Sequence, residues 1–500
     1  MKRTDIPVVI GVAQLVEHES DPRIAMTPLE MLVRIGREAS EDAGGGKRLI
    51  NQIDTIGLVT VAGWYPRNAA ALLGEKLGVR PATTITTEPG GETPLVLVNH
   101  VAAQIASGRT RVALVAGAHN LKTLKRAVKE KVQPPWGEGG TGVPQVIGSK
   151  KPSVCDREKN HGLHLPIHFY PVFENALRAR RGLDIKFHNI RIGNLMHRFS
   201  QVAAKNPYAW FPVERGVEEL ITPTPVNRMI CFPYTKYLNA VLDTNQAAGI
   251  FMVSDRVADA LGIAEEKRLY WRGGANTRED PWFVSERPDL SISPSLCRCA
   301  RETFLRTGIS IQDMDFIDFY SCFPVAVEMA AEAYGVTEDD PRGLTVTGGL
   351  PYAGGPGSNY TLHSLAAMVN RLRARPGSTG LVTGNGMFLS SHSSVVISTI
   401  FGEPPGAKTI AASSDGGSKS PPAIAEEADG RGIVETYTVV YDRSGVPETG
   451  IVIGRLEDGR RFVANTPSDR ELLEAFVKVE EVGRSGSVKH VNGRNIFEPK

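Results

Sequence analysis

The chain runs twice through the same alternation of short apolar strand and amphipathic helix, and this repetition restricts its fold more than any other feature. In the first 120 residues, IPVVIGVAQ reads as a buried strand and LEMLVRIGREASEDAG as an amphipathic helix closed by glycine. IDTIGLVTV, NAAALLGEKLGV and TTITTE continue the series as strand, helix and strand. The turn Pro89-Gly90-Gly91 leads into the helix PLVLVNHVAAQIASG, and RVALVAGAHN closes the set as a strand. A second series opens at RLYWRGGA. It continues with a helix over residues 296–307, the strand DFIDFYSCF, the helix PVAVEMAAEAYG, the helix NYTLHSLAAMVNRLR, and the strands TGLVTGNG and SVVIST. Such alternation predicts sheets with helices on their faces. With 500 residues, the chain also exceeds what one hydrophobic core organises.

Two stretches break the pattern. Residues 121–239 are rich in proline, histidine and basic residues and read as loops with a few helices, a cap inserted into the first half. Order returns at TNQAAGIFMVS. Residues 404–430 are dense in Pro, Gly, Ser and Ala and read as a linker. The rest switches to short strands around one helix, which suggests a small OB-like barrel. The expected parts are a first half over 1–120 plus 240–266, a cap over 121–239, a second half over 267–403, the linker, and a barrel over 431–500.

Composition excludes several function classes. There are 57 basic and 55 acidic residues, so no electrostatic case exists for nucleic acid or an anionic membrane as partner. In the tail from Asp429 onward, eleven Lys/Arg face twelve Asp/Glu, against the basic groove that single strands require. No apolar run reaches a membrane span and no leader or retention signal is evident, so the expected location is the cytoplasm. Five cysteines, an odd and sparse set, read as reduced thiols. The Cys297-x-Cys299 pair has no second pair or histidine cluster near it, so no metal is expected.

Four turns are placed for chemistry. Gly90-Gly91-Glu92-Thr93 opens a buried helix; Gly91 is either a tight turn needing a positive φ, or a deleted nucleophile or anion-binding turn. Tyr320-Ser321-Cys322-Phe323 ends a strand, where ligands of α/β sheets collect; Cys322 is either a packed thiol or an acid, base or nucleophile. The turn with Gly348, Gly349, Gly354, Gly355 and Gly357 can cradle an anion. Asn385 can donate to an oxyanion or simply hold its turn. Among the histidines, His161 and His164 are expected at the surface and His363 packed in its helix. His392 is the best placed for a site.

In this order, the motifs resemble those of thiolases of the sterol carrier protein type, over about residues 5–402. Counting back from Ile105 and Gly108 puts Gly91 where the family keeps its nucleophilic cysteine. KNPYAWF resembles a string in the substrate-capping loop domain, and TNQAAGIFMVS a characteristic strand. YSCF stands for His-Asp-Cys-Phe, and GGLPYAGGP for Gly-Gly followed by Gly-His-Pro. The tail resembles OB-type modules attached to, or partnered with, thiolase-like proteins. The resemblance implies a duplicated α/β thiolase fold, layered α-β-α-β-α, with a loop-domain insertion and a C-terminal all-β OB-like barrel.

It also implies an altered site. The nucleophile has become Gly91, the oxyanion-hole histidine Tyr320, its acid neighbour Ser321, and the activating histidine Gly355, leaving Cys322 from the acid/base set. Claisen chemistry needs a thiolate and a base to activate it. The expected ligand is therefore CoA or acyl-CoA, not tightly bound, without thiolytic turnover. Trp210, Phe211, Gly348, Gly349, Asn385 and His392 are expected to line its site. Two further readings stay open: an acyltransferase using Cys322, and a non-enzymatic subunit docking a protein partner through the barrel. Thiolases are commonly dimers through the sheet edge near the nucleophile turn; here dimer and monomer are both open.

Overall fold

The computed structural model describes residues 5–402 and 420–500. The apolar runs of both series become strands of one eleven-stranded sheet. Its first half lines up Pro7–Val16, Asn245–Ser254, Val112–Asn120, Thr55–Leu58 and Thr83–Thr87. Its second half lines up Phe316–Asp318, Thr379–Gly386, Ser391–Ser398 and Leu269–Gly273. The halves join where Val8 pairs with Tyr270 and Val9 with Leu269. Asn245–Ser254 is buried at every residue, which explains why TNQAAGIFMVS shows no polar alternation.

Two helices sit at the centre. Thr93–Ala106 and Tyr360–Arg373 bury Leu95, Leu97, Val98, Val101, Leu362, Leu365 and Met368 in one cluster with residues of both half-sheets. Helices apolar over most of their circumference are the ones a fold encloses. Gly91 lies at the N-terminal end of the first, which places the candidate turn between the halves.

The segment 121–239 is more helical than its sequence suggests. It contains Leu121–Glu130, Pro166–Arg180 and Ile185–Ala203, besides two short helices. Pro166–Arg180 escapes a periodicity search because it buries ten consecutive residues from Phe169 to Arg178, and Pro171 interrupts its pattern. The three-residue strand Gln145–Ile147 also belongs to this segment. It runs parallel to Thr83–Thr87 and forms the edge of the large sheet.

The tail forms a closed five-stranded barrel. Its strands follow the circuit Gly430–Tyr441, Pro447–Leu456, Arg461–Asn465, Arg494–Pro499, Ser485–Val491 and back to the first. Tyr437, Val452, Phe462, Phe476, Val488 and Phe497 fill it. The expected linker over 404–430 lies outside the described residues as far as 419. Ala425 and Ala428 already bond to Arg461 and Asn495 of the barrel.

The barrel docks on the cap of its own chain. Val440 pairs with Cys231, Phe232 enters the barrel core, and the buried Arg178 pairs with Glu480. His161, expected at the surface, is only 4% exposed. Its Nδ1 bonds the Arg157 carbonyl, its Nε2 accepts the Asn495 N–H at 3.0 Å, and its carbonyl accepts from Asn465. His164 is exposed. No helix among the described residues is long and apolar enough to cross a membrane.

Candidate functional site

The turn before helix Thr93–Ala106 is held by side chains from the second half. The Gly90 N–H donates to Ser358 Oγ at 3.0 Å, Thr361 Oγ1 donates to the Gly91 carbonyl, and Ser393 Oγ to the Glu92 carbonyl. Gly91 does not take a positive φ, so turn geometry does not require glycine there. Space does. A β-carbon on residue 91 would fall inside van der Waals contact of the Tyr320 hydroxyl, 2.6 Å from Tyr320 Cζ and 2.5 Å from the Asn385 carbonyl oxygen. The phenol of Tyr320 therefore fills the volume that a side chain at position 91 would use. The two motifs are brought together, and the side chain of one fills the space left by the glycine of the other.

Tyr320 is fixed from several sides. It follows the strand Phe316–Asp318, its N–H donates to Thr383 Oγ1, and its ring meets Tyr360 edge-on at 5.5 Å. Burial raises its pKa well above that of a free phenol, and Cys322 and Tyr360 add to the effect. Cys322 lies beside it, 7% exposed. Its thiol is pushed up to about 12 by burial, despite hydrogen bonding to Tyr170 and Asn385 that works the other way. Asn385 donates to the Tyr170 hydroxyl at 2.9 Å and approaches Cys322 Sγ at 3.9 Å, while its own Oδ1 is buried without a partner. Tyr170 comes from the cap and stacks on Phe323 at 4.3 Å.

The glycine-rich turn covers this centre. Gly348 and Gly349 have φ of 100° and 82°, and β-carbons there would strike Ala203 and Phe199. Here glycine is required both by conformation and by close approach. A β-carbon on Gly355 would meet the Val241 carbonyl oxygen at 3.1 Å, a tight fit against backbone. The cap loop lies on the same turn: Asn206 donates to the Thr347 carbonyl, and the N–H groups of Trp210 and Phe211 donate to Ala353 and Tyr352. Trp210 is buried between His18 and Lys122, whose ammonium lies 4.7 Å from its ring centre; Phe211 is 40% exposed.

His392 is not part of the constellation. It pairs across the sheet with Asn385, but its Nε2 bonds Ser293 Oγ at 3.1 Å, and Ser293 donates to Glu279. Burial, with Arg287 next, pushes it down to about 3. His363 is packed in its helix and bonds Gln14.

Sequence reasoning passed over Glu92. Its side chain is buried, with Oε2 unpartnered, and burial pushes its pKa to about 7 even though the Ser391 hydroxyl and Arg278 lower it. Glycines make room for it: β-carbons at Gly384 and Gly386 would run into Glu92. The signal was an acid inside an otherwise apolar helix start.

Little free volume remains. A cavity of about 10 Å³ lies under the turn, between Gln246, Thr347, Gly354, Tyr360 and His363. That is at the lower limit for a single water. Clefts of about 980 and 970 Å³ lie elsewhere, at the cap–barrel junction and along helix Ile185–Ala203.

The family described as the thiolase-like protein type 1 additional C-terminal domain matches residues 418–492. The monomeric SCP2-thiolase-like protein type 1 from Mycobacterium smegmatis, known from its crystal structure, is 34% identical over all of both chains, with a TM-score of 0.84. The Ltp2–ChsH2(DUF35) aldolase is 16% identical and shares the fold, with a TM-score of 0.60 over 79% of this chain and 97% of its own. The acetyl-CoA acetyltransferase of Syntrophomonas wolfei shares it at 14% identity and a TM-score of 0.57, over 80% of this chain and all of its own. The benzoylsuccinyl-CoA thiolase subunit BbsB of Thauera aromatica is 26% identical over 135 residues, 27% of this chain; the match spans about a third (32%) of that curated relative.

Proposed function

The chain belongs to the SCP2-thiolase-like proteins of type 1, and from that premise we propose that it takes CoA or acyl-CoA as ligand without thiolytic or condensing turnover. The observation that carries the second half of this reading is the mutual fit of Gly91 and Tyr320. Where the thiolase pattern has a sulfur, this chain has a phenol inserted from the second half. An acyl group then has no thiolate to accept it at position 91, and Gly355, which stands for the family's activating base, carries no side chain. Support for the ligand class comes from the family and the shared fold.

An acyltransferase working through Cys322 has less support, because a thiol raised to about 12 is protonated at neutral pH. A subunit that docks its partner through the barrel has less support too, because the barrel already spends part of its surface on its own cap.

Calorimetry with CoA and acetyl-CoA, run beside thiolysis and condensation assays on the same preparation, tests the proposal. Saturable heat without turnover is the expected result. No heat at millimolar ligand would remove the ligand reading, and steady thiolysis would remove the reading of an inactive centre.

A further inference from the structure

The cap meets the second half through a buried cluster that lies outside the site described above. Glu174 comes from helix Pro166–Arg180, His188 from Ile185–Ala203 and Glu328 from Pro324–Tyr334. All three side chains are fully buried, and one ligand atom from each lies within 4.8 Å of the others. His188 Nε2 is 2.6 Å from Glu174 Oε1, and the Tyr234 hydroxyl donates to Glu174 Oε2. Arg181 donates to Glu328 Oε1 at 2.7 Å. His188 Nδ1 has no hydrogen-bond partner, and Glu328 Oε2 has none unless it shares a proton with the neighbouring Glu174 carboxyl.

Charge is out of balance as well. The well-buried carboxylates of Glu174, Glu328 and Glu338 face the guanidinium of Arg181; the buried Arg178, whose charge also reaches His188, is paired with Glu480, and Arg191, 40% exposed, offsets Glu338 only from the solvent side. Unbalanced buried carboxylates either take up protons or hold a cation.

We propose that Glu174, His188 and Glu328 bind a divalent transition-metal cation of the Zn²⁺ type that fastens the cap to the second half, the Tyr234 hydroxyl orienting Glu174 through its hydrogen bond. One imidazole with two carboxylate oxygens suits a borderline cation that takes three protein ligands; Ca²⁺ and Mg²⁺ prefer more ligands, all oxygen. Two donors on a tetrahedral Zn²⁺ stand about 3.3 Å apart, so the His188–Glu174 contact, 2.6 Å here, must open by about 0.7 Å, within reach of side-chain rotation. A surface cleft lined by Arg181, Phe187, Arg191, Glu328 and Glu338 gives access.

The full chain is loaded with Zn²⁺, dialysed against metal-free buffer and analysed for metal content, then compared with His188→Gln, Glu328→Gln and the surface control His164→Ala. One Zn²⁺ per chain is expected in the wild type and the control, with at least a tenfold loss of affinity in the two buried variants. Should those variants not fold, X-ray absorption of the wild type decides, with one imidazole and oxygen ligands expected. Folded wild type that retains no Zn²⁺, so that the acids hold protons only, overturns the proposal. So does undiminished affinity in both buried variants, or a sulfur ligand in the absorption spectrum.

Discussion

The ring of Tyr320 and the missing side chain of Gly91 occupy one volume: Tyr320 Cζ stands 2.6 Å from the point a β-carbon on residue 91 would take. The expected consequence is energetic coupling between residues from opposite halves of the fold. Gly91→Ala forces the phenol or the Asn385 backbone aside and costs about 1–3 kcal/mol. Tyr320→Ala costs about 3–5 kcal/mol by opening a cavity. In the double variant the clash with the ring is gone and only the Asn385 carbonyl still presses on the alanine, so its added cost falls by about 1 kcal/mol, the usual size of coupling between touching residues. Urea denaturation of the four proteins measures this, and strictly additive costs would show that the ring does not press on position 91.

Burial at the same place is expected to keep Cys322 unreactive. A thiol at about 12 holds roughly one part in 10⁴ of thiolate at pH 8, and Cys322 is 7% exposed. Iodoacetamide at pH 8 is expected to alkylate Cys297, which is exposed, and to leave Cys322 untouched in the native state. Incubation with acetyl-CoA likewise leaves Cys322 unmodified by mass. An acyl group trapped on Cys322 would reinstate it as a nucleophile.

How much of this was legible in the sequence depends on how far apart the interacting residues lie. The strands were readable because each buried run carries its own signature, as in TNQAAGIFMVS, which becomes Asn245–Ser254. The strand Gln145–Ile147 was not, because three largely exposed residues carry no pattern and exist as a strand only through their neighbour. The reason for Gly91 was hidden because locally it looks like a turn glycine, while the atom that excludes a side chain belongs to Tyr320. His161 looked like a surface loop residue because its partners Asn465 and Asn495 lie 304 and 334 positions on.

Glu92 gives the site a pH signature. Its folded pKa of about 7 lies above the ordinary carboxylate value of 4.5, so between those two pH values the native state holds a proton that the unfolded chain has lost. Stability from this residue is therefore fully present below about pH 4.5 and is lost as pH rises through 7. The full loss is about 3 kcal/mol. Glu92→Gln cannot ionise, so its stability relative to wild type is expected to rise across that window and then level off. A difference independent of pH between 4.5 and 8 would show that Glu92 is not buried as a protonated acid.

His161 ties cap to barrel, and its removal has a defined cost. Without the ring, the Asn495 N–H is buried with no acceptor, a penalty of about 1–3 kcal/mol. His161→Ala is expected to loosen the barrel before the large sheet. Hydrogen exchange would then show faster exchange in Ser485–Val491 and Arg494–Pro499, with Asn245–Ser254 unchanged. Equal loss of protection in both places would mean that barrel and sheet unfold as one unit.

The edge strand Gln145–Ile147 bears on self-association. It covers Thr83–Thr87, pairing Ile85, Thr86 and Thr87 with Gln145, Val146 and Ile147, and the Ile147 carbonyl accepts the Glu88 N–H at 2.7 Å. A free sheet edge is a template for another chain, whereas a short covering strand blunts it. The wild type is therefore expected to sediment as a single chain at micromolar concentration. Replacing residues 144–148 with glycine and serine uncovers the edge beside the Gly91 turn and is expected to produce a concentration-dependent dimer. Sedimentation velocity over a hundredfold concentration range distinguishes the outcomes. A dimeric wild type, or a variant that stays monomeric throughout, would show that this strand does not control assembly.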